Sequence, residues 1–411
     1  MSSINVSKIK ELAQKKINAL TDASSLNDLE NLMKISMLSG GGHLSVDSDG
    51  ALPSSGKVAF DNQYDRLFLN KKAPNYTNTN WEPLQAGKTS TITPYASFIA
   101  NFGSSYGYAN GGQSPPNQYI STIERWSLAS DGNSTDNGDL NSILYNAGSS
   151  ASSTDGYHYG GDTNPATATI TDVIRKYPFT ADTSSTNVAT LSRRARGLQS
   201  STLGSPTHGY RAGGNDPATP PATAGLNIIE KFIFASDGDG TDVGDLQRTK
   251  YHLSVSNSTT HGYVAGGIDV DPSASPVVVN PLTIDKWAFA SDGNATDVGD
   301  ITRAIYGGGG NSSSTHGYMT GGFGPTVPGR SADIEKYSFS SDGNSAQAGD
   351  LTAGRDLPAS TNSPTSGYTA GGIIAPTKTN VIDKFPYADD GNATDVGDLT
   401  SATSTSSGNQ Y

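Results

Sequence analysis

One unit recurs six times between residues 107 and 399, and this repetition limits what the chain can fold into. Each copy begins with a Gly-Tyr pair that runs into a Gly-Gly pair, and it ends with a version of Ser-Asp-Gly-Asn-Ala-Thr-Asp-Val-Gly-Asp-Leu. Successive Gly-Gly pairs lie 49 to 55 residues apart, starting at Gly111, Gly160, Gly213, Gly266, Gly321 and Gly371. A period of this length predicts one supersecondary unit copied into a ring or a stack.

Each copy has room for four short antiparallel strands, which make one blade of a β-propeller. In the fourth copy, strands are predicted at residues 262–267, 284–289 and 300–301, and a more polar fourth strand at residues 303–308. Forty-eight glycines and a charged fraction of 16% are typical of short strands joined by tight turns. The periodic placement of 19 Tyr, 11 Phe and 3 Trp argues against disorder. We therefore predict an all-β fold, with a six-bladed propeller over residues 91–411.

The chain continues for about one strand after the sixth copy. Residues 400–411 are predicted to pair beside the first blade, because closing the ring removes two unpaired strand edges. Residues 92–104 are the competing candidate for the same inner position.

The first 90 residues lie outside the repeats. Apolar residues at helical spacing predict helix over residues 4–38. Residues 1–45 are interpreted as an attachment or oligomerisation segment, because so short a helical pair cannot bury its apolar stripe alone. Packing of this stripe on the chain's own propeller is the alternative. Residues 46–90 predict a small β connector, with a hairpin at 57–60 and 66–69 whose apolar face is capped by Trp81.

The repeats resemble those of the kelch family in an apolar strand that ends in Gly-Gly, a following aromatic residue and a later arginine. The aromatic residues are Phe232, Trp287, Tyr337 and Phe385, and the arginines are Arg248, Arg303 and Arg355. The resemblance covers about three quarters of the chain and implies a kelch-like propeller. The Trp that kelch blades carry after the aromatic residue is replaced by an Asp-Gly-Asn loop, so no kelch partner is carried over.

The N-terminal region resembles the leader modules of tailed-bacteriophage virion proteins, particularly those of marine cyanophages. The similarity lies in residues 19–26, 56–61 and 66–69 and in Trp81, and the Asp-Gly-Asn-Ala-Thr-Asp-Val-Gly-Asp-Leu repeats are also similar to such proteins. The resemblance implies a fibre or appendage of the tail, neck or capsid, assembled in the host cytoplasm. Other virion proteins, or further copies of the chain, are the partners expected for residues 1–45.

The Asp-Gly-Asn segments raise the question of a calcium site. Residues 292–300 place side-chain oxygens at alternating and third positions, as a calcium loop requires. The glycine of an EF-hand loop is displaced, however, and its bidentate Glu is absent. Residues 182–190 keep one carboxylate, and residues 342–350 lose the central Thr-Asp. Tight turns with Asx hydrogen bonds are therefore the preferred interpretation, and calcium is the alternative.

Histidines and tyrosines recur with the Gly-Tyr pairs. His208, His261 and His316 precede three of these pairs and are interpreted as strand-start hydrogen-bonding residues rather than as a metal site. The tyrosines are predicted to pack in the core or between blades. They are Tyr108, Tyr157, Tyr210, Tyr263, Tyr318 and Tyr368.

The sequence assigns no catalytic residue, no cofactor-binding residue and no metal ligand. Glu124, Glu230 and Glu335 share one strand position and are expected to be exposed cross-strand partners of Lys or Arg. The glycine-rich runs lack the Lys-Ser/Thr of a phosphate loop, and no Gly-x-Ser-x-Gly elbow occurs. We therefore expect a protein without enzymatic activity.

The net charge of −12 repels phosphate groups, so nucleic acid is not an expected partner. Membrane insertion is not expected either, because no apolar run approaches the roughly 20 residues of a membrane span. The leading function hypothesis is a virion structural protein whose propeller adheres to a glycan or protein of the host surface. The alternative is a carbohydrate-binding or carbohydrate-active propeller, which as an enzyme would need a funnel with two convergent carboxylates. Binding residues are expected where the repeats differ, in the insertions after each Gly-Gly pair such as residues 215–225 and 268–280.

Overall fold

A computed structural model of the chain describes residues 105–410, except 165–166, 168, 199–200, 217–224, 271–277 and 326–328, together with three N-terminal strands. These strands, Val58–Asp61, Arg66–Asn70 and Trp81–Pro83, form an antiparallel sheet within the unit Met1–Thr93. The predicted hairpin is present, and the segment at Trp81 adds a third strand to it. The helix predicted over residues 4–38 lies outside the described residues. Among those that are described, no helix is long and apolar enough to span a membrane.

The second unit, Pro94–Tyr411, is a six-bladed β-propeller of antiparallel sheets. The blades are numbered by their second strands, which are Tyr106–Ser114, Asp155–Tyr159, His208–Ala212, His261–Ala265, His316–Thr320 and Ser366–Ala370. The third strands are Gln118–Ser127, Val173–Pro178, Ile228–Ile233, Thr283–Ala288, Asp333–Ser338 and Val381–Pro386. The outermost strands are Thr135–Asp139, Thr186–Thr190, Thr241–Asp245, Thr296–Asp300, Ala346–Asp350 and Thr394–Asp398.

The innermost strands surround the propeller axis. They are Ser407–Gln410 in blade 1, Gly148–Ala151 in blade 2, Ser254–Asn257 in blade 4, Gly309–Ser312 in blade 5 and Ala359–Asn362 in blade 6. Residues 201–204 take this place in blade 3, through bridges such as Gly204 to Gly209. Two short pairs, Asp269–Val270 with Val278–Val279 and Ile373–Ile374 with Thr377–Lys378, extend the loops after the Gly-Gly pairs of blades 4 and 6.

The C-terminal strand closes the ring, as predicted. It pairs with the second strand of blade 1, with Asn409 opposite Tyr108. The side-chain amide of Asn409 also donates to the carbonyl oxygen of Ser150 in blade 2, over 2.6 Å. Blade 1 therefore joins the two ends of the repeat region.

The innermost strands lie later in each repeat than predicted. Residues 303–308 connect blade 4 to blade 5, and the strand follows them. These strands consist largely of Gly, Ser, Thr and Asn because they converge on the axis. A Cβ on Gly310 would lie 2.0 Å from the carbonyl oxygen of Val255, and one on Gly408 would lie 2.1 Å from that of Ser360. Bulky β-forming residues do not fit there, so the sequence of these strands is not typical of β structure.

The Gly-Gly pair turns the chain at the end of each second strand. In blade 4, Gly266 and Gly267 have φ values of +61° and +105°, which lie in the region that favours glycine. A Cβ on Gly266 would lie 2.6 Å from the carbonyl oxygen of Ile305. The backbone N–H of Gly267 donates to that same oxygen over 3.0 Å. The pair thus fixes the loop to the connection that leads to the next blade.

The repeated tyrosines pack between blades, as predicted. Each lies on a second strand, is at most 3% exposed, and contacts an aromatic ring of the next blade. Ring centroids lie 4.7 Å apart for Tyr263 and Phe339, and 4.9 Å apart for Tyr318 and Tyr387. These contacts leave the tyrosines inside the protein rather than in a ligand cage.

The Asp-Gly-Asn segments form turns, as predicted, and they also join neighbouring blades. In blade 4, Asp292 and Gly293 have φ values of +53° and +109°. The side-chain oxygen of Asn294 accepts a hydrogen bond from the backbone of Asp245 in blade 3, over 3.0 Å. Farther along, Asp297 accepts one from the backbone of Gly299 over 3.1 Å, which is an Asx hydrogen bond. Oxygens that a calcium ion would need are thus used in protein contacts.

An ion pair accompanies each of these turns. The Asp of the turn meets a Lys or Arg on the third strand of the preceding blade. The six pairs are Arg125–Asp182, Lys176–Asp237, Lys231–Asp292, Lys286–Asp342, Lys336–Asp390 and Lys384–Asp131. The one carboxylate kept by residues 182–190 is therefore the one that contacts the neighbouring blade.

The prediction that Glu124, Glu230 and Glu335 are exposed is wrong. Their exposed fractions are 3%, 0% and 1%. Glu335 accepts a hydrogen bond from the backbone N–H of Thr302, which follows the outermost strand of blade 4, over 2.9 Å. Glu124 accepts one from Thr400 over 2.7 Å. Burial is tolerated because each carboxylate satisfies a backbone donor of the preceding blade.

The strand order gives the propeller two different faces. The turn face carries the Asp-Gly-Asn turns. The loop face carries the loops that follow the Gly-Gly pairs and the connections from each outermost strand to the next innermost strand. Because insertions and connections meet on the loop face, it is the face where the repeats differ most.

Candidate functional site

Six residues at the start of the innermost strands form a ring about the axis on the loop face, here called the axial ring. All six have φ between +52° and +64°, and they are Asn146, Gly197, His252, Gly307, Leu357 and Thr405. The backbone N–H of His252 donates to the carbonyl oxygen of Gly197 over 2.7 Å, and that of Gly307 donates to His252 over 2.7 Å. Equivalent bonds of 2.6 Å and 2.7 Å continue through Leu357 to Thr405. The backbone of the ring is thus repeated while its side chains differ.

A second set of six residues, here called the outer ring, immediately precedes the axial ring in sequence. Each forms a backbone bridge with the residue that follows a Gly-Gly pair, as Tyr145 does with Asp162. The outer ring consists of Tyr145, Arg196, Tyr251, Tyr306, Asp356 and Ser404. The fold therefore presents six unlike side chains from one common backbone frame.

A cavity of about 310 Å³ opens where the axial ring carries its first glycine. It lies over Gly197 and is lined by residues of blades 2, 3 and 4, namely Tyr145, Asn146, Arg196, Gly197, Asn215, Tyr251 and His252. The cavity exists because Gly197 has no side chain, since a Cβ there would already lie 3.2 Å from Cδ2 of Tyr251. Its volume is at the lower end of the roughly 300–1,000 Å³ of small-molecule sites.

Arg196 is the cation of the cavity, and it is balanced by a buried acid. Its Nη1 lies 3.3 Å and 3.4 Å from the two carboxylate oxygens of Asp162, whose side chain is fully buried. Burial raises the pKa of the Asp162 carboxyl, and the guanidinium of Arg196 opposes that rise. The pair positions Arg196 at the edge of the cavity and leaves little net charge there.

His252 lies in the axial ring beside the cavity. Burial and the nearby Arg196 lower the pKa of its imidazole to about 4, so the ring is neutral at pH 7. Within the part of the chain that the structure describes, the His252 ring forms no hydrogen bond. One nitrogen of a neutral imidazole donates and the other accepts, so both functions are available to a ligand.

Aromatic rings form the walls of the cavity. Tyr145 stacks on Tyr119 with centroids 4.5 Å apart and planes 10° apart. The ring centroid of Tyr251 lies 5.3 Å from that of His252. Burial raises the pKa of the Tyr145 and Tyr251 hydroxyls, so both remain protonated at pH 7. Half-buried aromatic rings beside polar groups suit a ligand with apolar faces and polar edges.

The opposite side of the outer ring has its own aromatic and charged cluster. Tyr306 contacts Phe323 with centroids 5.6 Å apart, and the guanidinium of Arg330 lies 5.7 Å from the Phe323 centroid. Arg330 pairs with Asp356, whose pKa is raised by burial. The carboxylates of both sides, Asp162 and Asp356, are thus engaged by arginines.

The structure places the sequence-predicted histidines on the turn face, away from this cavity. His208, His261 and His316 each begin a second strand, and Nδ1 of each lies 2.8 Å from the hydroxyl of the preceding threonine. The strand-start interpretation is confirmed. Among the described residues, no group of three or more His, Asp or Glu is arranged to hold a metal ion.

The insertions after the Gly-Gly pairs contribute to the site through their first residues. Asn215 begins the insertion of residues 215–225 and lines the cavity, and Asp162 begins that of blade 2. Sequence reasoning did not identify Tyr145, Arg196 or Tyr251. Each stands five residues after the Leu that follows the outermost strand of a blade, namely Leu140, Leu191 or Leu246, and a comparison of the six repeats at that offset could have found them.

Comparison with known proteins supports the fold. No protein-family model matches the sequence, and no curated protein matches it. Among solved structures, that of YjhT is similar, with a TM-score of 0.56 and 13% sequence identity over 72% of this chain and 97% of YjhT. A likeness at this identity shows a shared propeller architecture and nothing about function.

Proposed function

We propose that the protein is a non-enzymatic adhesion protein and that the cavity on the loop face binds a glycan. The observation that supports this proposal is the placement of two half-buried tyrosines, an arginine and an imidazole without a hydrogen-bond partner among the described residues around one concave site. Sugars offer apolar ring faces and hydroxyls that both donate and accept, and such a lining matches both features. A protein partner would instead need a contact area of about 800 Å² per side.

Binding without turnover is favoured by the state of the carboxylates. Hydrolysis of a glycosidic bond uses two carboxyl groups roughly 5–10 Å apart on either side of the bond. Among the residues that the structure shows lining the cavity there is no carboxylate, and Asp162 beside it is buried against Arg196. This arrangement supports adhesion rather than the carbohydrate-active alternative.

The setting that we propose is the virion of a tailed phage. The resemblance of the leader and the repeats to phage structural proteins supports it, and a propeller with a binding face suits display on a fibre or appendage. Residues 1–45 are proposed to attach the chain to other virion proteins. Deletion of residues 1–45 should then abolish incorporation into particles while glycan binding by the remaining chain persists.

Glycan-array binding by the full chain tests the adhesion proposal. Gly197→Asn fills the cavity and keeps the required backbone, because Asn146 occupies the equivalent position with a φ of +57°. It should lower binding at least tenfold. Gly307→Asn is the matched control at the same ring position outside the cavity, and it should bind like the wild type. If the wild type binds no glycan on the array, adhesion to glycans is refuted. If Gly197→Asn binds as tightly as the wild type, this cavity is not the binding site.

A further inference from the structure

The charged groups around the cavity on the loop face indicate the charge of the ligand that fits it. Of the residues that line it, Arg196 is the one that is charged at pH 7, and Asp162 balances it. Arg193 and Arg194 of the same connection do not line the cavity, and they share the single carboxylate of Asp216, at 3.4 Å and 3.2 Å. The one guanidinium that lines the cavity is therefore already paired with a carboxylate.

The segments of the repeat region that lie outside the described residues contain no cation. Residues 165–166, 168, 199–200, 217–224, 271–277 and 326–328 have sequences without Lys or Arg. Their one charged residue is Asp271. The chain as a whole carries a net charge of −12, which disfavours the approach of anions at long range.

Polar groups available to a ligand in the cavity are neutral. Within the described part of the chain, neither the Tyr251 hydroxyl nor the His252 ring forms a hydrogen bond. A hydroxyl and a neutral imidazole each offer one donor and at least one acceptor. A sugar hydroxyl can pair with both, whereas a carboxylate can only accept and would leave an acceptor of the site unpaired.

We propose that the cavity binds an uncharged hexopyranose residue and discriminates against hexuronic and other acidic sugars. Tyr145 and Tyr251 contact the faces or edges of the ring, and His252 is the specificity-determining hydrogen-bonding residue. This inference rests on the proposed glycan-binding function. The discrimination follows from the Asp162 carboxylate, which repels a second carboxylate and occupies the guanidinium that would otherwise recognise it.

Matched sugar pairs test the proposal directly. The full chain is titrated calorimetrically with the methyl glycosides of glucose, galactose and mannose and with those of the corresponding hexuronic acids, which differ only at C6. At least one neutral glycoside should bind ten times more tightly than its acidic partner. Tighter binding of the acidic partners would overturn the inference and leave glycan adhesion standing. Binding of no member of any pair, together with an empty glycan array, would refute the proposed function itself.

Variants taken from the repeats separate the roles of the residues. His252→Asn and His252→Leu place at this position the residues found at Asn146 and Leu357, so the backbone can accommodate both. The Leu variant should weaken neutral-sugar binding about tenfold, and the Asn variant should stay within threefold of the wild type. Asp162→Asn should gain at least tenfold in affinity for the hexuronides, with thermal melting as the folding control. Unchanged hexuronide affinity in a folded Asp162→Asn protein would contradict the proposed source of discrimination.

Discussion

Acid should destabilise the propeller through a histidine at the ring closure. His158 lies on the second strand of blade 2 and is fully buried. Its Nδ1 lies 2.8 Å from the hydroxyl of Ser407 in the closing strand, and its ring stacks on Tyr177 with centroids 5.7 Å apart. Its Nε2 is buried and has no hydrogen-bond partner among the described residues. Protonation would therefore place an uncompensated charge beside the closing strand.

The size of the effect follows from proton linkage. Burial, with a smaller contribution from Arg175, lowers the pKa of His158 from 6.5 to about 3. A depressed folded-state pKa means that the unfolded chain binds more protons below pH 6.5, so stability falls as the pH is lowered from there toward 3. At pH 5 the difference amounts to about 1.5 pH units at roughly 1.4 kcal/mol each, or about 2 kcal/mol.

Urea unfolding measured between pH 7.5 and pH 5 tests this prediction. His158→Met is the informative variant, because Met319 occupies the equivalent position in blade 5 and does not titrate. The wild type should lose about 2 kcal/mol more free energy of unfolding than His158→Met over this range. Tryptophan fluorescence and circular dichroism should give coincident transitions, so that a two-state analysis applies. Equal losses in the two proteins would refute the reasoning.

Three further predictions concern the architecture. Gly266→Ala should lower the free energy of unfolding in urea by at least about 2 kcal/mol, because its Cβ meets the Ile305 carbonyl oxygen. Gly293→Ala should lower it by about 1 kcal/mol, because Gly293 has a positive φ but no atom within 4 Å of the added Cβ. Equal losses would show that the Ile305 contact has no effect on stability. Deletion of residues 407–411 should lower the free energy of unfolding by about 4 kcal/mol, because it removes about four backbone hydrogen bonds at roughly 1 kcal/mol each. An unchanged melting temperature would argue against closure of the ring by this strand. Lys286→Ala should cost only about 0.5 kcal/mol at low salt, because its pair with Asp342 is partly exposed, and a loss above about 2 kcal/mol would show that the pair is stronger than a surface ion pair.

Much of the propeller could be predicted because the repeated residues have backbone conformations or positions that few other residues can adopt. Gly266 and Gly267 need conformations that other residues avoid, so a recurring Gly-Gly pair fixes the blade period. The few residues left after the sixth Asp-Leu pair are enough for the strand that closes the ring. These features depend on local backbone rules and on chain length, which the sequence displays directly.

Other elements could not be predicted because their environment comes from the neighbouring blade. The innermost strand Gly309–Ser312 has the composition of a turn, and only the crowding at the axis explains why it is a strand. Glu335 has the charge of a surface residue, but it is buried because a backbone N–H of blade 4 needs an acceptor. Such pairings between blades are not visible in any one repeat.

The candidate site could not be predicted from the repeated motif for a related reason. Tyr145, Arg196 and Tyr251 come from three successive connections, and the cavity between them depends on the missing side chain of Gly197. The repeated motif contains none of these residues. The turn face, which carries the recurring acids, is occupied by contacts between blades, so the recurring part of the sequence builds the fold and the varying part builds the site.

A crystal structure of the full chain with the tightest-binding neutral methyl hexoside would show directly whether the cavity over Gly197 is the sugar site. We predict sugar density in that cavity, with a sugar hydroxyl within about 2.7–3.2 Å of an imidazole nitrogen of His252. Sugar density on the turn face, or on the loop face away from Tyr145 and Tyr251, would contradict it.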